Sequence, residues 1–324
     1  MRTVTIIGAG VMGLSTAVRL LEQHPELHLK VLAKALPPET TSNVAAAIWY
    51  PYNARPIERM KGWCKAAFER FKQLAADPAA GVSMVDFIAL YAEPTPNLWW
   101  RETVEQIRRL SQSELPAGFA DGYLAKVPLV ETNVYMPYLL RWAQHLGAEV
   151  VQAEVHSVQA LAQTSALVVN CAGLGARELC GDEALYPIRG QVLSVARPKQ
   201  VQGYTFDNPP CPTRPTYIIP RSHDVILGGS ADIGEWDCTP DETLSSDIVA
   251  RCVALEPHLQ GMPILGAKVG LRPGRTEVRL ERDPKWPNVI HNYGHGGSGI
   301  TLSWGCAEEV CQLAAAVLQD RVND

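Results

Sequence analysis

The sequence has no apolar run near the roughly 20 residues that a membrane span needs. It has no C-x-x-C pair among its eight cysteines and no basic block. The first absence excludes a helical membrane protein. The second removes the common zinc and thiol-redox spacings, so the scattered cysteines read as free thiols in a reducing cytoplasm. The third leaves nucleic acid and anionic membrane surfaces without an electrostatic footprint, since 29 Lys and Arg stand against 34 Asp and Glu for a formal charge of −5. Aromatics reach only 7% and charged residues 19%, yet hydrophobic residues make up 47% of 324, enough core for two domains and too much for disorder. Met1-Arg2-Thr3 runs straight into Val4-Thr5-Ile6-Ile7-Gly8, where glycine interrupts what a secretory leader would continue. Val322-Asn323-Asp324 is no peroxisomal or ER tag, so the expected location is cytoplasmic.

What is present is a β-α-β opening. Residues 3–7 read as a buried strand, 11–21 as an amphipathic helix and 27–33 as a second strand. Residues 40–52 read as a short helix feeding a strand, 57–76 as a helix and 84–90 as a strand; 91–134 are turn-rich. A helix over 136–146, ended by Gly147, precedes a strand over 148–152 and the segment 166–173, an apolar strand running into a small-residue turn. Antiparallel strands are expected over 190–230, interrupted by a Pro-rich stretch at 208–215 that reads as a lid. A helix over 245–255, a strand over 289–293 and a helix over 300–318 complete the chain. Parallel material at the start, middle and end implies an α/β fold with a discontinuous, Rossmann-like nucleotide-binding domain. The inserted part reads as a mixed or antiparallel-sheet substrate domain.

Gly8-Ala9-Gly10-Val11-Met12-Gly13 is G-x-G-x-x-G between a strand and a helix, the context in which glycines let a pyrophosphate reach a helix N-terminus. The acid expected about 20 residues later at the second strand's end is missing. Leu32-Ala33-Lys34 stands there, and Glu39 is a distant substitute. A second glycine cluster, His291 to Thr301, precedes the last helix. Its small residues let backbone lie against a flat ring, and the helix N-terminus favours negative charge there. A serine-hydrolase elbow fails because Ile300 occupies the place of its last glycine. A metal site from His291 and His295 lacks further ligands, so no metal is expected.

Together with Thr40-Thr41-Ser42-Asn43-Val44-Ala45-Ala46, Val168 to Gly173, Arg189-Gly190-Gln191, Thr216 to Pro220 and Val269-Gly270-Leu271-Arg272-Pro273, these segments occur in order. The chain thereby resembles the D-amino-acid oxidase family, which includes D-aspartate oxidase, over nearly its whole length. The resemblance implies non-covalent FAD on a glutathione-reductase-like domain. That domain would comprise residues 1–50, 135–190 and 285–324, and the substrate domain 51–134 and 191–284. It implies oxidation of a D-amino acid by dioxygen to a 2-oxo acid, ammonia and hydrogen peroxide. Carried over by position, Gly8, Ala9, Gly10, Val11, Met12 and Gly13 hold the pyrophosphate, with Thr41 and Ser42 near the phosphates. Ala46, Ala47 and Ile48 lie beside the isoalloxazine, Val155 beside the adenine. Gly294, Gly296, Gly297, Ser298, Gly299, Ile300 and Thr301 lie over the flavin's pyrimidine edge. Tyr217 and Arg272 match the carboxylate ligands, and the Gly297 carbonyl the acceptor for the amine. Two departures stand out: Thr213 falls near a second active-site tyrosine of animal relatives, and Ser298 replaces a bulkier residue.

The chemistry of these residue types agrees. A guanidinium fork pairs bidentately with a carboxylate, a phenol adds a hydrogen bond, and positioning then supplies most of the rate. Thr213 and Arg214 are expected at the substrate side-chain pocket. An inward Arg214 would favour D-aspartate or D-glutamate, and an outward one neutral D-amino acids; the commoner outward fate of arginine favours neutral substrates. An NAD(P)-dependent dehydrogenase would explain the first β-α-β unit but not the second glycine cluster. A catalytically inactive flavin-binding protein would not need both Tyr217 and Arg272. Oligomeric state is left open, homo-oligomers included.

Overall fold

Residues 3–52, 54–207 and 213–320 are described in the computed structural model, and they build two sheets, with most helices packed about the first and one on the second. The order begins β1 (Thr3–Ile7), α1 (Val11–Gln23), β2 (His28–Ala33), α2 (Thr41–Val44), α3 (Ile57–Leu74), β3 (Val82–Tyr91), β4 (Ile107–Arg109) and β5 (Asp121–Val130). Then come α4 (Thr132–His145), β6 (Glu149–Gln152), α5 (Val158–Thr164), β7 (Leu167–Asn170), α6 (Ala176–Cys180), β8 (Tyr186–Ala196) and β9 (Tyr204–Asp207). The last part is β10 (Thr216–Pro220), β11 (Asp224–Gly228), β12 (Asp232–Ile233), α7 (Glu242–Leu255), β13 (Ile264–Gly274), β14 (Arg279–Arg282), β15 (Val289–Tyr293) and α8 (Gly299–Asp320).

The first sheet has the order β14-β15-β7-β1-β2-β6. All neighbours are parallel except β14 with β15. Its central strands β1 and β7 are mostly apolar, and Val4, Ile6, Leu29, Val31 and Val169 are fully buried, as parallel strands covered on both faces must be; the edge strands β6 and β14 carry charged residues. Helix α1 packs against α4 and α8, and α3 lies on α8. Each fully buried Leu or Val on these helices, such as Leu14, Val18, Leu302 and Val310, contributes about 1.5–3 kcal/mol relative to exposure. The strand order reverses at β1, with β2 on one side and β7 on the other. A crevice at the carboxyl ends of the strands forms at such a switch point.

The second sheet follows β12-β8-β11-β10-β9-β3-β5-β4, with β13 on the other edge of β8. It is antiparallel apart from the β3–β9 pair. Three elements cross the expected domain boundaries: β14 joins the first sheet, α3 packs on α8, and β8, from Tyr186 to Ala196, lies wholly in the second sheet. Strand β5 replaces part of the turn-rich stretch expected over 91–134, where Pro128 hid it. Proline removes a ladder donor, but β4 pairs only as far as Ala125. Beyond it Trp49 N donates to the Pro128 carbonyl at 2.8 Å, so no ladder bond is lost. The strand expected before residue 52 is only a bridge from Ile48 to Leu129. Strand β13 is hidden in the sequence by Gly266, Gly270, Pro273 and Gly274, and β14 by its shortness and its charged residues Arg279, Glu281 and Arg282. The lid expected over 208–215 falls mainly on 208–212, outside the described residues. The seven described cysteines are free thiols. Among the described residues no helix is long and apolar enough to cross a membrane, and no cluster fits a metal ion.

Candidate active site

A cavity of about 690 Å³ runs from the turn after β1 to the facing ends of β10 and β13. Gly8 adopts φ +104 in that turn, a conformation suited to glycine. A Cβ at Gly13 would stand 1.9 Å from the Gly8 carbonyl oxygen, so only glycine lets α1 press this closely on β1. The α1 N-terminus has an extended cap at Gly10 and no acid in its first turn. Ser42 faces it: its Oγ accepts from Val11 N at 3.0 Å, and a Cβ at Gly10 would come within 3.2 Å of that oxygen. A helix N-terminus this bare of side chains is suited to an anion.

Farther along, Ala47 has φ +60, a strained conformation costing an alanine of order 1 kcal/mol. Val130 N donates to its carbonyl at 2.9 Å, so the end of β5 holds the turn. The loop from Gly294 to Thr301 lies opposite and is tied to residues 50–52. Tyr52 N donates to Ser298 Oγ at 2.8 Å, and that hydroxyl donates back to the Tyr52 carbonyl. Thr301 Oγ1 accepts from Tyr50 N at 3.3 Å and donates to the Tyr50 carbonyl at 3.1 Å. His295 lines the cavity and is buried, its Nε2 without a partner among the described residues. Burial pushes its imidazole down to about 3, which keeps it neutral.

At the other end, Tyr217 of β10 and Arg272 of β13 meet across β8 and β11. Tyr217 lies opposite Gly228 in the β10–β11 register, and a Cβ at Gly228 would fall 1.9 Å from the Tyr217 Cζ. The Arg272 guanidinium occupies the space over Gly190, and its Nη1 donates to the Ser230 carbonyl at 2.9 Å. The guanidinium also lies within hydrogen-bonding reach of the Tyr217 phenol. Burial pushes the Tyr217 phenol above its ordinary 10, against the opposing pull of Arg272. Gly297 sits beside both Tyr52 and Arg272: a Cβ there would lie 2.7 Å from Tyr52 Cδ1 and 3.7 Å from Arg272 Cδ. Val192, Pro215, Ile219, Tyr50 and Tyr52 complete this end, with Arg272 its one permanent cation among the described residues. The Tyr50 and Tyr91 hydroxyls lie 3.0 Å apart.

The chain matches the model of the FAD dependent oxidoreductase family across residues 3–313. It belongs to the FAD-dependent oxidoreductase family. It is 45% identical over 316 residues to a D-amino-acid oxidase of Rubrobacter xylanophilus, covering 97% of this chain and 96% of that one. It is 34% identical over 326 residues to the D-aspartate oxidase of Homo sapiens, covering 96% and 94%. The crystal structure of glycine oxidase from Geobacillus kaustophilus shares the fold with a TM-score of 0.82 at 18% identity, covering 98% and 95%.

The cavity fits FAD. Its bare helix N-terminus facing Ser42 suits the pyrophosphate, and the Ala45–Ile48 turn opposite the glycine loop leaves room for a flat ring. Of the residues expected at FAD, Gly8 to Met12, Thr41, Ser42, Ala46 to Ile48, Val155, Gly296, Gly297 and Gly299 to Thr301 line the cavity. Gly13 sits behind the turn. Gly294, at φ +83, and the buried Ser298 lie outside the lining and shape the loop instead.

Thr213 and Arg214 do not line the cavity. Thr213 is exposed and pairs with Ala231 through its carbonyl, while Arg214 Nη1 is drawn to Asp232 Oδ1 at 2.6 Å. Sequence reasoning missed Tyr50 and Tyr52, whose only signal was their place just after the Ala45–Ile48 segment. It also missed Glu154, which pairs with Lys34 at 2.9 Å at the end of the cavity beside Val155. The acid absent from the end of β2 is thus matched by one beyond the neighbouring β6.

Proposed function

We propose that this protein is an FAD-dependent D-amino-acid oxidase that prefers neutral side chains. The observation that carries the reading is the Arg272 guanidinium, seated over Gly190 with Tyr217 beside it, at the end of a cavity whose other end suits a dinucleotide. The names of the similar proteins support the D-enantiomer. Arg272 pairs with the substrate carboxylate, a charge-assisted contact that fixes orientation. Tyr217, kept protonated by burial, donates a further hydrogen bond to it. The Gly297 carbonyl accepts from the amine and holds it as a neutral donor. FAD, held by the α1 N-terminus with Ser42 and by the loop from Gly294 to Thr301, would supply the acceptor for the α-hydrogen as hydride and the route of its electrons to dioxygen. No side chain need act as an acid or base, and the protein's part is orientation and exclusion of water. The FAD-binding unit is assigned to residues 1–50, 135–185 and 285–324 together with α3 and β14, and the substrate unit to the rest, with the whole of β8.

The preference for neutral substrates follows from Arg214. Its ion pair with Asp232 spends the charge that a distal carboxylate would need. The described side chains around Arg272 are otherwise apolar or phenolic. A peroxide assay over neutral, acidic and basic D-amino acids, with L-enantiomers as controls, tests both parts. Neutral D-amino acids are expected to be the best substrates. Peroxide from none of the D-amino acids would overturn the activity. A preference for D-aspartate or D-glutamate, lost in Arg214→Ala, would overturn the neutral pocket.

A further inference from the structure

We infer that Arg251, on α7, is the positioning residue that sets the spacing of Tyr217 and Arg272; this rests on reading their end of the cavity as the carboxylate site. Its Nη1 donates to Thr216 Oγ1 at 2.7 Å, the Pro215 carbonyl at 2.8 Å and the Arg214 carbonyl at 3.2 Å. Its Nη2 donates to the Gly229 carbonyl at 3.0 Å. The first three acceptors belong to the residues that lead into Tyr217. Gly229 stands between Gly228, which lies against the Tyr217 ring, and Ser230, whose carbonyl holds Arg272 Nη1. One guanidinium therefore ties the backbone carrying the phenol to the backbone holding the other clamp residue.

The two backbone stretches are already joined by Gly229 N to the Pro215 carbonyl at 2.6 Å and Ala231 N to the Thr213 carbonyl at 2.9 Å. Arg251 closes that junction from the helix side. Helix α7 is itself anchored to β8: Gln191, next to Gly190, donates from Nε2 to the Asp241 carbonyl and to Ser245 Oγ, each at 2.8 Å. The Arg189-Gly190-Gln191 segment thus has two tasks. Its glycine seats Arg272, and its glutamine holds the helix that carries Arg251. The partner of Arg251 on its own helix, Asp247 at 3.0 Å, is half-exposed, and a pair of that kind contributes little by itself. A lysine ammonium is a point charge and does not span acceptors on both stretches.

The test compares FAD-loaded wild type with Arg251→Ala, Arg251→Lys and, as a control, Asp247→Asn. Four quantities are measured: thermal midpoint, FAD dissociation constant, KM and kcat for a good D-amino acid, and the dissociation constant of a non-oxidisable carboxylate read from the flavin absorption. Displacing a clamp by a fraction of an ångström is expected to raise KM and the carboxylate constant by about tenfold in both Arg251 variants, with a smaller loss in kcat. FAD affinity is expected to stay within about twofold of wild type, and Asp247→Asn to stay near wild type throughout. Unchanged KM and carboxylate binding in the folded, FAD-loaded Arg251 variants would overturn the inference, whatever their thermal midpoints. So would full recovery by Arg251→Lys, the variant that decides if Arg251→Ala fails to retain FAD. Should wild type oxidise no D-amino acid, the activity falls, while carboxylate binding still decides the role of Arg251.

Discussion

The Arg272 guanidinium lies where a side chain at Gly190 would be: a Cβ there would stand 2.2 Å from its Nη1 and 2.4 Å from its Cζ. No real contact is that short, and both groups sit on paired strands that cannot part without breaking the ladder. Gly190→Ala is therefore expected to push the guanidinium off its line to Ser230. The expected result is a fall in kcat/KM of about 10²-fold, with FAD content unchanged. Steady-state kinetics on the FAD-loaded variant check this; near-normal efficiency would show that Arg272 has room to spare.

Removing the guanidinium itself should act on turnover more than on folding. Arg272→Ala deletes a charge-assisted partner of a carboxylate in a sheltered site, a loss of about 3–5 kcal/mol in transition-state stabilisation. Arg272→Lys is expected to recover little, because a point charge does not replace a fork. A variant that keeps most of its kcat/KM would mean that another group grips the carboxylate.

Tyr217 gives a pH signature. Burial raises its phenol above 10, so the neutral, donating form persists throughout the range below that value. Its titration is displaced to higher pH than that of an ordinary phenol, so it contributes no alkaline loss of activity in the neutral range. Tyr217→Phe is expected to lower kcat/KM by about tenfold or more, the worth of a hydrogen bond to a charged group, while leaving the shape of the kcat/KM profile through the neutral range intact. An alkaline limb in that range that disappears in the phenylalanine variant would contradict this.

The legible part of the molecule is the part whose meaning is local. Gly8 to Gly13 carries its own strand and helix, so the turn and the cavity wall it forms could be read from spacing alone. Tyr217 and Arg272 carry no local signal, and only resemblance marked them. The role of Gly190 depends on β8 and β13 being brought side by side, which no linear pattern reveals. Pro128 misled because proline argues against a strand unless its missing donor faces away from the main ladder, and here that side, past the end of β4, meets only the short bridge at Ile48 and Trp49. Ser298 and Thr301 lie in the expected loop, yet their hydroxyls serve the Tyr50 and Tyr52 backbones, a pairing across distant sequence. Arg214 was open to either fate until Asp232 was seen beside it.

The flavin should be held without a covalent bond. Cys171 lines the cavity, but burial pushes its thiol up to about 12, so the nucleophilic thiolate is scarce at neutral pH. His295 is buried on the glycine loop. Acid precipitation of the purified protein is expected to leave the yellow colour in the supernatant. Colour retained on the pellet would show a covalent link.

Anaerobic mixing of the FAD-loaded protein with D-alanine, and separately with L-alanine, bears most directly on the central claim. The expected result is loss of the oxidised flavin band with the D-enantiomer alone. Admission of oxygen should then restore the band and release one hydrogen peroxide per flavin. A band that persists with D-alanine and a wider set of D-amino acids, or that bleaches equally with both enantiomers, would contradict it.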